Sequence, residues 1–264
     1  MIKGLYTSAL GMTTEMQRMD VIANNIANVN TTGYKRDLAV TRSFAEELTQ
    51  RLGEAEPEAY RITSFILAGT SPVGRWSPGL FVDDVYTDFS DGSPQKTGAP
   101  LDLAISGGGF FRVSATDAGG NTREMYTRDG AFALSADGVL VTSEGYAVAG
   151  RNGAITIPPG NITVDASGGI YSNGVYVDTL YMADFEDYHT LRKTGDNLCE
   201  ATGDSAPAAF GGAVSQGFLE ASNVNSVREM VDMIAASRAY EANSRLVSLH
   251  DTELGRAVND IARK

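Results

Sequence analysis

Glycine and proline are confined to the middle of this chain, and that confinement restricts the fold more than any other feature. Of 29 glycines in 264 residues, 25 lie between Gly53 and Gly217, and all 8 prolines lie between Pro57 and Pro207. These two residues are the poorest helix formers, so long helices are open only to the two ends, and the middle must be built from short strands and turns. Charge divides at the same places. Residues 1–52 carry six basic and five acidic groups and residues 223–264 carry six of each, which leaves −13 for the body between them out of a chain total of −12.

In the first arm Leu5, Ala9, Met12, Met16, Met19, Ala23 and Ile26 recur at spacings of four and three, one stripe of a helix, with Ile22 beside it. Gly33, after Asn30-Thr31-Thr32, is the expected stop, because glycine tolerates the left-handed conformation that ends helices. In the last arm Met233, Tyr240, Val247, Leu254 and Ile261 repeat every seven residues, with Val227, Val231 and Ile234 leading in and Val258 widening the seam. Ser226 and Glu229 fit a capping box, and a helix from there to about Ala262 spans roughly 50 Å at 1.5 Å per residue. Ala236, Ser237, Ser244 and Ala257 beside the seam are small enough to admit a neighbouring helix. Asn24, Asn25 and Asn28 have no helix-propensity rationale, and their amides are expected to bridge helices or to cap the break before Gly33.

The middle reads as strands at residues 101–105, 110–113, 132–134, 139–141, 155–157 and 162–164. The dipeptides Asp91-Gly92, Asp129-Gly130, Asp137-Gly138 and Asn152-Gly153 are turn signals that mark hairpins. The expected class is α+β: helical ends at 1–36 and 223–264, a connecting segment at 37–75 and a β-rich domain at 76–222.

Several chemistries find little footing. A sequence pI near 4.6 removes the positive footprint that nucleic-acid phosphates require. Cys199 is the only cysteine, so neither an internal disulfide nor a cysteine zinc site can form. No apolar run reaches membrane-span length, and the first residues lack the apolar core of a secretion signal. Gly107-Gly108-Gly109 is followed by no Gly-Lys-Ser/Thr and reads as a tight turn into a strand. Around Ser71 the nucleophile-elbow spacing fails, and His189 and His250 give a triad few partners, His250 reading as a packed or solvated helix residue. Asp83, Asp84, Asp102, Asp129 and Asp137 could supply a glycosidase pair, but short acids in turn dipeptides ordinarily cap their own backbone. The spaced acids of a calcium loop are missing. No catalytic, cofactor or metal residue is expected.

Three separated blocks carry a likeness. Residues Met19 to Arg36, reading through Asn24-Asn25-Ile26-Ala27-Asn28 and Thr31-Thr32-Gly33-Tyr34-Lys35-Arg36, resemble the N-terminal signature of bacterial flagellar rod and hook proteins. Leu219-Glu220-Ala221-Ser222-Asn223-Val224-Asn225, with Val231-Asp232-Met233-Ile234 and Arg238-Ala239-Tyr240-Glu241-Ala242-Asn243, is similar to the matching C-terminal signature. Between them, Gln95 to Ile105, Gly109-Phe110-Phe111 and Tyr126-Thr127-Arg128-Asp129-Gly130 resemble the β-domain motifs of basal-body rod proteins.

The resemblance implies an axial structural subunit rather than an enzyme. Its terminal helices would pack as a coiled-coil tube, with partners that are copies of itself and other rod or hook proteins. It implies a place in the flagellar basal body, reached unfolded through the type III export apparatus without a cleaved signal. Leu5, Met12, Met16, Met19, Ile22, Asn24, Asn25, Ile26, Asn28, Gly33, Met233, Ile234, Tyr240, Val247, Leu254, Val258 and Ile261 would form the assembly interface. The short middle fits a rod subunit better than a hook subunit. Gly153 to Pro158 and Gly255 to Asn259 resemble the proximal rod, whereas Arg238 to Asn243 resembles the distal. A hook-type subunit, a stalked envelope binding module and an envelope glycan hydrolase are the rival readings.

Overall fold

The computed structural model describes residues 2–43, 79–116, 122–203, 205 and 207–262. The connecting segment expected at 37–75 and the serine considered at position 71 therefore lie largely or wholly outside the described residues. The chain divides into two units: one of residues 1–26, 37–86 and 226–264, the other of residues 27–36 and 87–225.

The helical unit contains α1 (Ile2–Ala27), α2 (Ser226–Ala262) and a two-stranded ribbon of β1 (Arg36–Ser43) and most of β2 (Leu80–Asp88). The ribbon carries a cross-strand ion pair, Arg42 Nε to Asp83 Oδ2 at 3.2 Å. Thr14, buried in mid-helix, donates its hydroxyl to Leu10 O at 2.9 Å and to Leu80 O at 2.8 Å, fastening α1 to β2. The first helix ends at Ala27, six residues before Gly33. Gly33 does take the left-handed conformation (φ 66°), but it serves a turn of the β unit.

The β unit continues with β3 (Pro94–Lys96), β4 (Leu103–Ser106), β5 (Phe110–Thr116), β6 (Thr122–Thr127), β7 (Phe132–Leu134), β8 (Leu140–Thr142), β9 (Ala147–Gly150) and β10 (Gly153–Ala154). There follow β11 (Ile162–Val164), β12 (Gly169–Ser172), β13 (Val175–Thr179), β14 (Met182–Phe185), β15 (Leu191–Gly195), β16 (Leu198–Ala201), β17 (Pro207–Ala208), β18 (Ala213–Gln216) and β19 (Phe218–Glu220). The main sheet runs β15-β16-β6-β5-β9-β8-β7, with β14 also pairing to β5 and β10 to β9; β11-β12-β13, β18-β4 and β19-β3 form smaller sheets.

Period-two alternation explains why the centre of the main sheet is buried on both faces. Phe111, Val113, Met125 and Leu198 enter one cluster with Leu103, Leu140, Val148, Ile155, Ile170 and Leu180. Their neighbours Phe110, Tyr126 and Cys199 enter a second on the opposite face with Ala183, Phe185 and Leu191. Tyr126 meets Phe185 edge to face at 5.0 Å, and Phe110 meets Phe89 the same way at 5.8 Å.

Five of the six expected strands are present, four within a residue or two of their expected bounds and the fifth, expected at 110–113, running three residues further to Thr116. The exception is 155–157, where Ile155 and Ile157 are buried but only Thr156 makes a bridge, to Val139. Two of the four turn dipeptides make hairpins: Asp137-Gly138 joins β7 to β8, and Asn152-Gly153 joins β9 to β10. Gly92 and Gly130 instead press against backbone carbonyls, of Ala221 and Leu103 respectively, leaving no room for a Cβ. Gly107 and Gly109, both at positive φ, form the tight turn between β4 and β5.

Candidate assembly surface and the junction of the signature motifs

In the helical unit the seam of α2 runs through Glu229, Met233, Ala236, Tyr240, Asn243, Val247, His250, Leu254 and Ala257, all buried or half-buried, at alternating spacings of four and three. The sequence shows the apolar half of this seam. Its other half, Glu229, Ala236, Asn243, His250 and Ala257, is polar or small, and it is the half that meets α1 in matched pairs. A Cβ on Gly4 would lie 2.8 Å from His250 Nε2, and one on Gly11 would lie 2.9 Å from Asn243 Nδ2. Asn25 Nδ2 donates to Glu229 Oε2 at 3.3 Å. The three pairs share one antiparallel register, the second seven and the third a further fourteen residues along each helix, and the same register sets Arg18 opposite Ala236 at the intermediate step. Large stands against small along the first three pairs, and the last is an amide on a carboxylate.

Asn25 is 1% exposed. Besides Glu229 it closes a two-bond ring with the backbone of Asp37, donating to its carbonyl at 2.7 Å and accepting from its N–H at 2.9 Å. Asn28 Oδ1 accepts from Thr31 Oγ1 at 3.1 Å in the turn after α1, and Asn24 is exposed. Ile22 is buried; Leu5, Met12, Met19, Ile26, Met233, Tyr240, Val247 and Leu254 are half-buried. Met16, Ile234 and Val258 are exposed, and the side chain of Ile261 lies outside the described residues. With Val227, Met230 and Val231, themselves 50–69% exposed, Ile234 forms an apolar stripe on the first turns of α2.

The β unit gathers the three motif blocks at one point. Lys35 Nζ lies 2.6 Å from Glu220 Oε1 and donates to Ser90 O at 2.8 Å; Arg128 Nη1 donates to Glu220 Oε2 at 3.2 Å, and its Nη2 donates to Gly107 O at 2.7 Å. All three charged side chains are at most 4% exposed. Glu220 Oε1 also accepts from Gly92 N at 2.8 Å, and Asp91 lies 3.6 Å from Arg128 at the edge of the cluster. Burial pulls the Lys35 ammonium below the ordinary lysine range, against the opposing attraction of Glu220. Burial likewise pushes the Asp129 carboxyl up, partly offset by the bonds it accepts from Thr32 Oγ1 at 2.6 Å and Ala131 N at 3.1 Å. Gly33 seals the junction: its N–H donates to Glu220 O at 2.8 Å, and a Cβ there would fall 2.5 Å from the Arg128 carbonyl carbon.

Asn223 ties the same region from the side. Its Oδ1 accepts from Arg36 N at 2.7 Å, and its Nδ2 donates to Asp88 O at 2.8 Å and to Ser90 O at 3.2 Å. Lys35, Arg128, Glu220 and Asn223 all stand inside the quoted motifs, yet sequence reasoning did not single them out.

Three of the five acids considered for catalysis have structural partners: Asp129 holds its turn, Asp83 pairs with Arg42, and Asp84 accepts from Val85 N at 2.8 Å. His250 is packed on Gly4, as a helix residue. Among the described residues no group of three or more His, Cys, Asp or Glu side chains could hold a metal ion, and no helix is long and apolar enough to cross a membrane.

Comparison with known proteins coincides with this geometry. The family described as Flagella basal body rod protein matches residues 5–35, the Flagellar hook protein FlgE/F/G D1 domain matches 104–172, and the Flagellar basal body rod FlgEFG protein C-terminal family matches 215–260. The chain is 37% identical over 263 residues to the flagellar basal-body rod protein FlgF of Caulobacter vibrioides, covering 97% of this chain and 96% of the relative. The chain belongs to the flagellar basal-body rod protein family. Among the rod proteins it is also 35% identical to FlgG of Buchnera aphidicola subsp. Baizongia pistaciae (96% and 98% covered) and 33% identical to FlgG of Bacillus subtilis (98% and 99%). Rod proteins are structural subunits of the flagellar basal body, and this one carries its three family matches on the segments that bring Lys35, Arg128 and Glu220 together.

Proposed function

We propose that this rod subunit polymerises through its two terminal helices, forming a coiled-coil wall of the tubular shaft that carries motor torque to the hook. Its partners are copies of itself and neighbouring rod and hook proteins, and it reaches them unfolded through the flagellar type III export apparatus. The residues of the assembly interface are those of the helix stripes, with the exposed Met16, Ile234 and Val258 meeting other subunits. The observation that carries this reading is the stripe Val227, Met230, Val231 and Ile234, exposed on α2 while the polar and small half of the seam is already occupied by α1. Burial of apolar area is the main driving force for association, at about 25 cal/mol per Å², and a stripe of this kind is where further helices gain most.

The test is Val231→Asp in the chromosomal gene. The β unit should remain folded in the purified protein, whereas basal bodies should lack the subunit and cells should lose motility. Normal incorporation of the variant would overturn the assignment.

A further inference from the structure

The chain crosses between the β unit and the helical unit four times, before Ala27, after Arg36, before Thr87 and after Asn225, and the last three of these crossings flank one cluster. Within the β unit these three segments are not independent. Asn223 holds the backbone of Arg36 through its oxygen and the backbones of Asp88 and Ser90 through its nitrogen, a span of 187 residues on one side and 135 and 133 on the other. Its own N–H reaches Tyr34 O at 3.4 Å. Directly beside it Lys35 takes Ser90 O and Glu220, Glu220 takes Gly92 N, and Ala221 N donates to Ser93 O at 3.0 Å.

We propose that Asn223 is the pin of a three-strand junction that makes these crossings open and close as one unit, so that a pull arriving along any of them is shared by all three. The chemistry suits an asparagine specifically. A carboxamide offers an acceptor and a separate two-proton donor 120° apart, so one side chain can serve an N–H on one strand and two carbonyls on another; aspartate has no proton to donate, and serine has one, on the same atom that accepts. The buried ions behind it supply the cooperativity. Lys35 and Arg128 both depend on one carboxylate, and loosening any strand that positions Glu220 strands both cations. The junction rests on the rod reading only for the origin of the pull; the cooperative opening is a property of the isolated chain.

The experiment is native-state hydrogen exchange on the purified full-length protein, wild type against Asn223→Ala. The informative amides are ones that do not bond Asn223: Gly33 (to Glu220 O), Gly92 (to the Glu220 carboxylate) and Ala221 (to Ser93 O). In the variant all three should lose protection together by tenfold or more, while amides of β5 and β9 keep theirs. Should Asn223→Ala fail to fold, Ser90→Ala, which removes only the 3.1 Å contact from Asn223 Nδ2 to the hydroxyl, should speed the same three amides by twofold to fivefold. Loss of protection at Arg36 alone would overturn the proposal, as would an equal loss across β5 and β9, which would make Asn223 a general stability residue. Neither result bears on whether the exposed stripe of α2 drives polymerisation, which the motility of the Val231→Asp strain decides.

Discussion

The two units hold together in opposite ways. The β unit buries phenylalanine, leucine, isoleucine and valine on both faces of its main sheet and pairs its buried Lys35 and Arg128 with Glu220. In the helical unit the contacts between the helices include glycine on histidine, glycine on asparagine, and asparagine on glutamate, while Val227, Val231, Leu249 and Val258 stay 60% or more exposed. The β unit leaves Val175 and Tyr176 exposed on one strand, whereas the helical unit lines up Val227, Met230, Val231 and Ile234 as a continuous stripe on one helix. The contrast separates what a subunit needs in order to fold from what it needs in order to assemble.

The sharpest way to break the comparison is Glu220→Ala. It removes the carboxylate shared by two cations at most 4% exposed, and loss of one partner of a buried pair costs about 3–5 kcal/mol. The urea midpoint of the β unit should fall accordingly, and Lys35→Met combined with Glu220→Leu should recover much of the loss. A change below about 1 kcal/mol would mean the cluster does not govern that unit.

A smaller effect is expected in the helical unit from Asn25→Ala, which takes one amide from Glu229 and two hydrogen bonds from the Asp37 backbone. About 1–3 kcal/mol is expected for buried polar groups left unsatisfied, read as faster amide exchange along α1 and the start of α2. The β unit's urea midpoint should not move, and rod assembly should weaken. Normal motility together with unchanged exchange would remove Asn25 from the interface.

The smallest effect sharpens the picture of the β unit. Asp129 titrates above its ordinary value of 3.8 when folded, so the folded state binds its proton more tightly than the unfolded chain. That group's contribution is therefore most favourable below 3.8 and declines as pH rises through the window above it. Asp129→Asn, which keeps an acceptor for Thr32 and Ala131, should remove that decline. The Tm of wild type relative to variant should fall with rising pH across the window, and a difference that stays flat would contradict the buried carboxyl.

Both helices were legible because their periodicity is local and uninterrupted by glycine or proline. The strands at 103–106, 110–116 and 132–134 were legible for a similar reason, lying between clear turn signals. β12 to β16 were not: they are four or five residues long, β12 and β15 carry glycine, and β12, buried at three of its four residues, loses the polar alternation that marks a strand. The misplaced helix stop has a specific cause. Gly33 has the residue type and conformation of a helix cap, but its φ of 66° serves the approach to Arg128 and Glu220, contacts 95 and 187 residues away that no local pattern encodes. The same distance hid the Lys35–Glu220–Arg128 cluster, although each member sits in a motif that was read.

The alternation of sizes along the α1 and α2 seam amounts to an address. Sliding one helix by a single heptad would set Ala236 against Asn25, withdrawing the carboxylate from its amide, and would bring Asn243 against Arg18 where a methyl group now stands. A greasy seam would forgive such a slip, because one leucine resembles another. A chain labelled in this way can be surrounded by other amphipathic helices and still keep its own two ends together.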